Sequence, residues 1–150
     1  MKKLFYLLVS SAILFACNQS SNKTETDDHA NRDHTVVDTQ LTLNNGAKWK
    51  ADSITNHNVV NLRIIADNFR IKPFLLASDY QILSGDLNNG LNKMIQECKM
   101  SGPDHDALHK WLEPILKETN QLKNITDTSI ARTTFKSIDA RIDTYYNFFE

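Results

Sequence analysis

Apolar side chains recur every three or four residues in four stretches between residue 48 and the end of the chain. This spacing places them on one face of a helix, so each stretch predicts an amphipathic helix. We predict helices over about residues 48–70, from Pro73 to about Cys98, from Ser101 to about residue 122, and from Asp127 to about residue 149. Their apolar stripes are Ile54, Leu62, Ile65 and Phe69; Tyr80, Leu83, Leu87, Leu91, Met94 and Ile95; Leu108, Leu112, Ile115, Leu116, Thr119 and Leu122; and Ala131, Phe135, Ile138, Ile142, Tyr145 and Phe149. Short connections between such helices favour an all-α, antiparallel up-down four-helix bundle.

Local signals refine the helix boundaries. Ser101 and Asp104 have the spacing of an imperfect capping box at the start of the third helix. Pro114 lies inside that helix, where we expect a bend rather than an end. Asp127 is the expected N-cap of the fourth helix.

Glycines and a turn signal add two expectations about packing. Gly85 and Gly90 weaken the second helix, so a close helix approach or a kink is expected there. Asn45-Gly46 tolerates positive φ and predicts a turn after a short extended segment near residues 41–43. We expect no further sheet, and a core that includes Leu87, Leu91, Leu112, Ile115, Ile138 and Ile142.

The first seventeen residues have the pattern of an export signal. Lys2 and Lys3 precede an uncharged run from Leu4 to Phe15, which is shorter than the about 20 apolar residues that span a bilayer. The end of the run, Leu14-Phe15-Ala16-Cys17, resembles a lipobox. We therefore predict a lipoprotein signal peptide over residues 1–16, a lipidated Cys17 with a disordered tether over residues 17–40, and the helical domain over residues 41–150. A signal peptide cut elsewhere, or a single-span anchor, is the alternative.

Lipidation would fix the location of the domain. Two or three acyl chains on Cys17 hold a protein stably on a membrane, and Asn18 favours the periplasmic face of the outer membrane over inner-membrane retention. The tether contains His29 and His34 among aspartates, but a polar linker is the favoured interpretation of that composition.

Charge and motif content exclude several functions. The formal charge of the 150-residue chain is −1, which gives no basic face for nucleic acid. The 4 Gly and 3 Pro residues supply too few turns for a β-sandwich or barrel. The chain has no GxSxG, P-loop, HExxH or CxxCH motif, so we expect neither an enzyme nor a haem protein.

One cluster of side chains could carry chemistry. Cys98, Met100, His105 and His109 lie at the junction of the second and third helices. The two histidines are four residues apart and share a helix face, and the helical wheel predicts that neither is freely solvated. Thiol, thioether and imidazole ligands suit Cu(I) or Zn(II). The alternative is a packed corner, with Cys98 in the core, Met100 filling the hinge and the His105 ring hydrogen-bonded to a neighbouring backbone or carboxylate group.

Topology adds one candidate ligand. In an up-down bundle the start of the first helix lies at the same end as this junction. His57 is therefore a possible additional ligand, and Tyr145, Tyr146 and Glu150 are expected near that end.

Two segments resemble a group of small uncharacterised lipoproteins of Bacteroidota-type bacteria. They are Leu43-Asn44-Asn45-Gly46-Ala47-Lys48-Trp49-Lys50, and Cys98-Lys99-Met100 followed by Gly102, His105, Leu108, His109, Trp111, Leu112 and Pro114. The resemblance implies export, lipidation and a helical domain, and supplies no reaction. Two functions stay open: an envelope lipoprotein that binds Cu(I) or Zn(II), or a scaffold lipoprotein without metal that docks on an envelope protein.

Overall fold

The computed structural model describes residues 40–73 and 75–150, and within these ranges the fold is helical. The helices are α1 (Ser53–Arg70), α2 (Ala77–Glu97), α3 (Gly102–Leu122), α4 (Thr128–Asp143) and the short α5 (Tyr145–Phe148). The predicted all-α class with four main helices is confirmed. The predicted signal peptide, Cys17, His29, His34 and nearly all of the tether lie outside the described residues.

The helix α1 begins later than predicted, because the residues before it pair with the C-terminus. The Trp49 N–H donates to the Phe148 carbonyl at 2.8 Å, and the Glu150 N–H donates to the Trp49 carbonyl at 3.0 Å. Asp52 then caps α1. The turn before this segment is as predicted, with φ of 50° at Asn45 and 88° at Gly46.

The start of α2 was also predicted too early. The helix begins at Ala77, and Pro73 lies in the preceding connection. The Leu76 N–H donates to the Asp79 carboxylate at 2.7 Å, which satisfies a backbone donor at the start of the helix. This local hydrogen bond fixes the boundary where apolar spacing alone could not.

The helix α3 follows Ser101 and continues through Pro114 to Leu122. The predicted capping box is wrong, because the Ser101 side chain makes no capping hydrogen bond. The Asp104 carboxylate instead accepts the Lys50 N–H at 3.0 Å. A contact with a distant segment has therefore replaced the local one.

The C-terminal helix is divided at Thr144. Asp127 caps α4 as predicted, accepting the N–H groups of Ser129 and Ile130 at 2.7 and 3.0 Å. The predicted single helix ends at Asp143, and α5 follows after Thr144. Although the helix is interrupted, every residue of its predicted apolar stripe is buried, because Tyr145 in α5 and Phe149 just after it both pack in the core.

The core contains the apolar stripes of all four main helices. The six residues singled out from the sequence are at most 4% exposed, namely Leu87, Leu91, Leu112, Ile115, Ile138 and Ile142. A close helix approach occurs at Gly90, where an added Cβ would lie 2.8 Å from Leu62 Cδ2. No close approach occurs at Gly85, whose Cβ position has no such neighbour within 4 Å; the alternative of a kink there stays a prediction.

Hydrogen bonds join opposite ends of successive helices. Asn58, early in α1, donates to Glu97 at the end of α2 at 2.9 Å. Ser84, early in α2, donates to the Thr119 carbonyl late in α3 at 2.7 Å. These contacts agree with the antiparallel up-down order, which stays a prediction.

The ends of the helices define two regions used below. The hinge end comprises the start of α1, the end of α2, the start of α3 and the connection at residues 98–101. The cleft end comprises the end of α1, the connecting residues 71–73 and 75–76, the start of α2 and residues 132–139 of α4. None of the helices in the described ranges is both long and apolar enough to cross a membrane.

Candidate functional site

Two of the predicted ligands face each other at the start of α3. The Nε2 atoms of His105 and His109 are 3.2 Å apart. Their ring centroids lie 4.5 Å apart with nearly perpendicular planes. Two neutral imidazoles can share one hydrogen bond in this arrangement, with one ring donating and the other accepting.

The two histidines differ in their exposure. His105 is half-buried and His109 is exposed. The expectation that neither would be freely solvated is therefore wrong for His109. The helical wheel places this residue further from the centre of the apolar stripe of α3 than His105, which agrees with its greater exposure.

Cys98 belongs to the same site. It is half-buried and forms no disulfide within the described part of the chain. Together with both histidines it lines a cavity of about 40 Å³, whose other walls are apolar. That volume is close to the space of one water molecule, about 30 Å³. The remaining wall residues are Met94, Ile95, Leu108 and Leu112.

The other two predicted ligands are elsewhere. Met100 is partly buried against the hydrophobic core and does not line this cavity. His57 is exposed and lines a separate surface cleft with Lys93 and Lys99. The structure thus brings together three of the five candidate ligands.

The backbone of the hinge is held by one carboxylate. Asp52 accepts the Thr55 N–H at 2.6 Å with Oδ1 and the Lys99 N–H at 3.0 Å with Oδ2. Partial burial alone would raise the pKa of Asp52, but these hydrogen bonds, with the Lys99 charge, lower it below its ordinary value of 3.8. Asp52 thus caps α1 and fixes the residue that follows Cys98.

A buried tyrosine packs close to the same hinge. The Tyr145 hydroxyl donates to Asn56 Oδ1 at 3.0 Å. Burial is the main cause that raises the pKa of Tyr145, and the charges of Tyr146, Asp52 and Cys98 add to it. Its hydroxyl therefore stays protonated and keeps its role as a donor.

Sequence reasoning missed the supporting carboxylates. Asp52 stands before a helix with the short polar side chain of a preferred N-cap residue, which could have revealed its capping role. Its bond to Lys99 spans 47 positions, and the bond from Lys50 to Asp104 spans 54. Such non-local contacts leave no periodic signal in the sequence.

The donors at this site are of the types that bind metal ions. An imidazole pair and a thiol supply three ligand atoms for a soft or borderline ion. However, no group of three or more His, Cys, Asp or Glu side chains within residues 40–73 and 75–150 is already arranged to hold a metal ion. The imidazole pair is the preformed part of the site.

Comparison with known proteins adds no relative. No family model, no curated protein and no solved structure matches this chain.

Proposed function

We propose that this chain is a lipoprotein of the periplasmic face of the outer membrane that binds Cu(I) or Zn(II) through His105, His109 and Cys98. The lipidation part rests on the Leu14-Phe15-Ala16-Cys17 pattern, and one observation carries the metal-binding part, the 3.2 Å separation of the two Nε2 atoms. Two nitrogens bound to zinc at about 2.0–2.1 Å with a tetrahedral angle lie about 3.3 Å apart. The separation of the two nitrogens is therefore compatible with both of them binding one ion.

Cys98 supplies the third ligand in this proposal. The thiol lines the same small cavity as both imidazoles. Because the Lys99 N–H is bonded to Asp52, the hinge backbone can stay in place while the Cys98 side chain rotates toward the ion. Met100 and His57 are not ligands in this arrangement.

Binding should depend on pH. The thiol must lose its proton and each imidazole must be neutral before it can coordinate a metal. Affinity should therefore fall as the pH is lowered, and bound metal should stabilise the bundle by mass action.

A competition titration of the full chain with Zn(II) and with Cu(I) tests the metal site. We expect the Cys98→Ser, His105→Ala double variant to lose tight binding. His57→Ala removes an imidazole from a different cleft and should bind like the wild type, as should Met100→Leu. Equal, weak binding by wild type and the double variant would refute the metal site.

The membrane anchor has a separate test. Cys17→Ala should release the protein from the membrane fraction, whereas the neighbouring Ser20→Ala should not. Mass spectrometry of the membrane-bound wild type should find a chain that begins with acylated Cys17. An intact Met1 or an unmodified Cys17 would contradict lipidation.

A scaffold lipoprotein without metal is the second candidate. It is favoured by Val60 and Ile64, which lie one turn apart on α1 and are 43% and 50% exposed. In this case the metal-site double variant should still bind a purified envelope protein, whereas the Val60→Ser, Ile64→Ser double variant should not. Both results together would support a scaffold function.

A further inference from the structure

A second cavity lies at the cleft end of the bundle, far along the chain from the metal-site candidates. Its volume is about 750 Å³, and its walls come from Arg70 at the end of α1, from Lys72, Leu75 and Leu76 in the following connection, from Tyr80 near the start of α2, and from residues 132–139 of α4. Sites for small organic molecules commonly measure about 300–1,000 Å³. We call this cavity the basic cleft.

The floor of the basic cleft is aromatic. Tyr80 and Phe135 line it and pack against Phe69, with ring centroids 5.0 Å from the Phe69 ring in both cases. Leu75 and Leu76 form one wall, and Leu76 is 66% exposed. An apolar group in the cleft would cover this leucine and contact the aromatic floor.

The rim of the basic cleft carries four cations and one carboxylate. Arg70 is already paired with Asp139 and Asp67. The Lys72 ammonium lies 5.5 Å from the centre of the Phe69 ring. These two cations therefore have partners within the protein.

Arg132 and Lys136 are different. Both line the basic cleft, both are exposed, and neither forms an ion pair with any side chain within the described ranges. They lie four residues apart on α4 and so point to the same side of the helix. A guanidinium and an ammonium beside an apolar floor match an anionic head attached to an apolar body.

We propose that the basic cleft binds a small amphipathic carboxylate, with its head between Arg132 and Lys136 and its apolar body over Tyr80 and Phe135. The floor residues are only 2% and 6% exposed, so the apolar body would touch their exposed edges and lie mainly against Leu75 and Leu76. A cavity of about 750 Å³ fits a single small molecule better than the flat surface of a membrane. This site is independent of the proposed metal site at the hinge end.

Titration with decanoate tests the proposal, with the full chain held in bilayer discs of zwitterionic lipid. Ring resonances of Tyr80 and Phe135 followed by nuclear magnetic resonance should shift in a saturable way. Decyltrimethylammonium, which has the same tail and the opposite charge, should not produce these shifts. Inorganic phosphate, which has no tail, should bind far more weakly.

Two sets of variants locate the site. Arg132→Gln, Lys136→Gln should weaken decanoate binding about tenfold because both charged donors are lost. Lys48→Gln, Lys123→Gln removes the same charge outside the cleft and should leave binding unchanged. Leu76→Ser should weaken binding about threefold, and it should fold normally because serine is a preferred residue at the start of a helix.

Three results would overturn the proposal. They are the absence of saturable shifts at Tyr80 and Phe135, equal binding of the cationic amphiphile, and equal weakening in the two double variants. The third result would show attraction to overall charge rather than to this cleft.

Discussion

At the hinge end, residues 98–101 join α2 to α3, and the carboxylate of Asp52, at the start of α1, accepts a hydrogen bond from the backbone of that connection. At the cleft end, residues 71–76 join α1 to α2, and a cavity of about 750 Å³ stays open beside them. Both ends contain polar groups next to the core. At the hinge end these groups are close in sequence and enclose space for one small ion, whereas at the cleft end they come from separate helices and leave space for an organic molecule.

The two ends also differ in what their capping aspartates hold. Asp52 draws the 98–101 connection onto the start of α1, so Cys98 stays beside the turn that carries the histidines. Asp127, the N-cap of α4 at the other end of the molecule, accepts only from its own helix. Asp52 therefore ties two segments together at the hinge end, whereas Asp127 stabilises only its own helix.

The largest expected effect is on the free energy of unfolding, when one leucine at each end is replaced by alanine. Leu108 lines the hinge cavity and is 2% exposed, whereas Leu76 lines the cleft and is 66% exposed. Leu108→Ala should lower the free energy of unfolding by about 2–5 kcal/mol. Leu76→Ala should change it by less than about 0.5 kcal/mol. Urea unfolding followed by circular dichroism measures both, and equal losses would mean that the two ends are packed alike.

The next effect concerns the two aspartate caps. Asp52→Ala should lower the free energy of unfolding by about 1–2 kcal/mol at neutral pH. Asp127→Ala should lower it less, because only Asp52 also accepts a hydrogen bond from the hinge backbone. The pKa of Asp52 is lowered in the folded protein below its ordinary value of 3.8. The ionised Asp52 side chain therefore makes its full contribution to stability well above pH 3.8, and this contribution is lost as the pH falls below that value toward the lower pKa of the folded protein.

Unfolding experiments over a range of pH measure this contribution. The stability difference between wild type and Asp52→Ala should shrink in acid, while Asp52→Asn, which can still cap the helix, should lose less at neutral pH. A difference that stays constant below pH 3.8 would show that the charge of Asp52 plays no part.

A smaller effect distinguishes two glycines of α2. Gly85→Ala should raise the free energy of unfolding by about 1 kcal/mol, because alanine favours the helix and no atom of a neighbouring element obstructs its Cβ. Gly90→Ala gains the same propensity but forces the fully buried Leu62 to move, which costs about 1–3 kcal/mol. The second variant should therefore be neutral or destabilised, and equal stabilisation of both would contradict the close approach at Gly90.

These residues also show what the sequence could predict. The apolar stripes predicted the four helices and their core, because burial of one helix face is a periodic property. The Cys98, His105 and His109 cluster was visible because its members lie within twelve positions. The basic cleft was not visible, since Tyr80 and Phe135 were recognised only as core positions and Arg132 and Lys136 only as parts of a polar face.

Boundaries failed where a distant contact replaced a local one. Asp104 bonds to Lys50 instead of closing a capping box, and residues 48–52 pair with the C-terminus instead of extending α1. Met100 and His57 failed to join the site for a related reason. The sequence predicted that both residues lie at the same end of the bundle as the cluster. The direction of each side chain depends on packing that the sequence pattern does not encode.

The smallest expected effect on stability is at the cleft rim. Asp139 forms an ion pair with Arg70. Arg70 also pairs with Asp67 and Asp143, so it would still have partners if Asp139 were replaced. Because the Arg70 side chain is 42% exposed, Asp139→Asn should cost less than about 1 kcal/mol, and the cost should diminish in high salt. Its effect on ligand binding should be larger, because Asp139 is the one carboxylate that lines the basic cleft.

Asp143→Asn provides the matched control for this last change. Asp143 also pairs with Arg70, and with Arg63 at 3.0 Å, but it does not line the cleft. Both variants remove one negative charge and should lose similar stability. Only Asp139→Asn should strengthen decanoate binding, by about threefold, because it releases a cation inside the site and removes a repelling charge. An equal gain in both variants would mean that decanoate responds to the net charge of this end of the bundle rather than to a defined cleft.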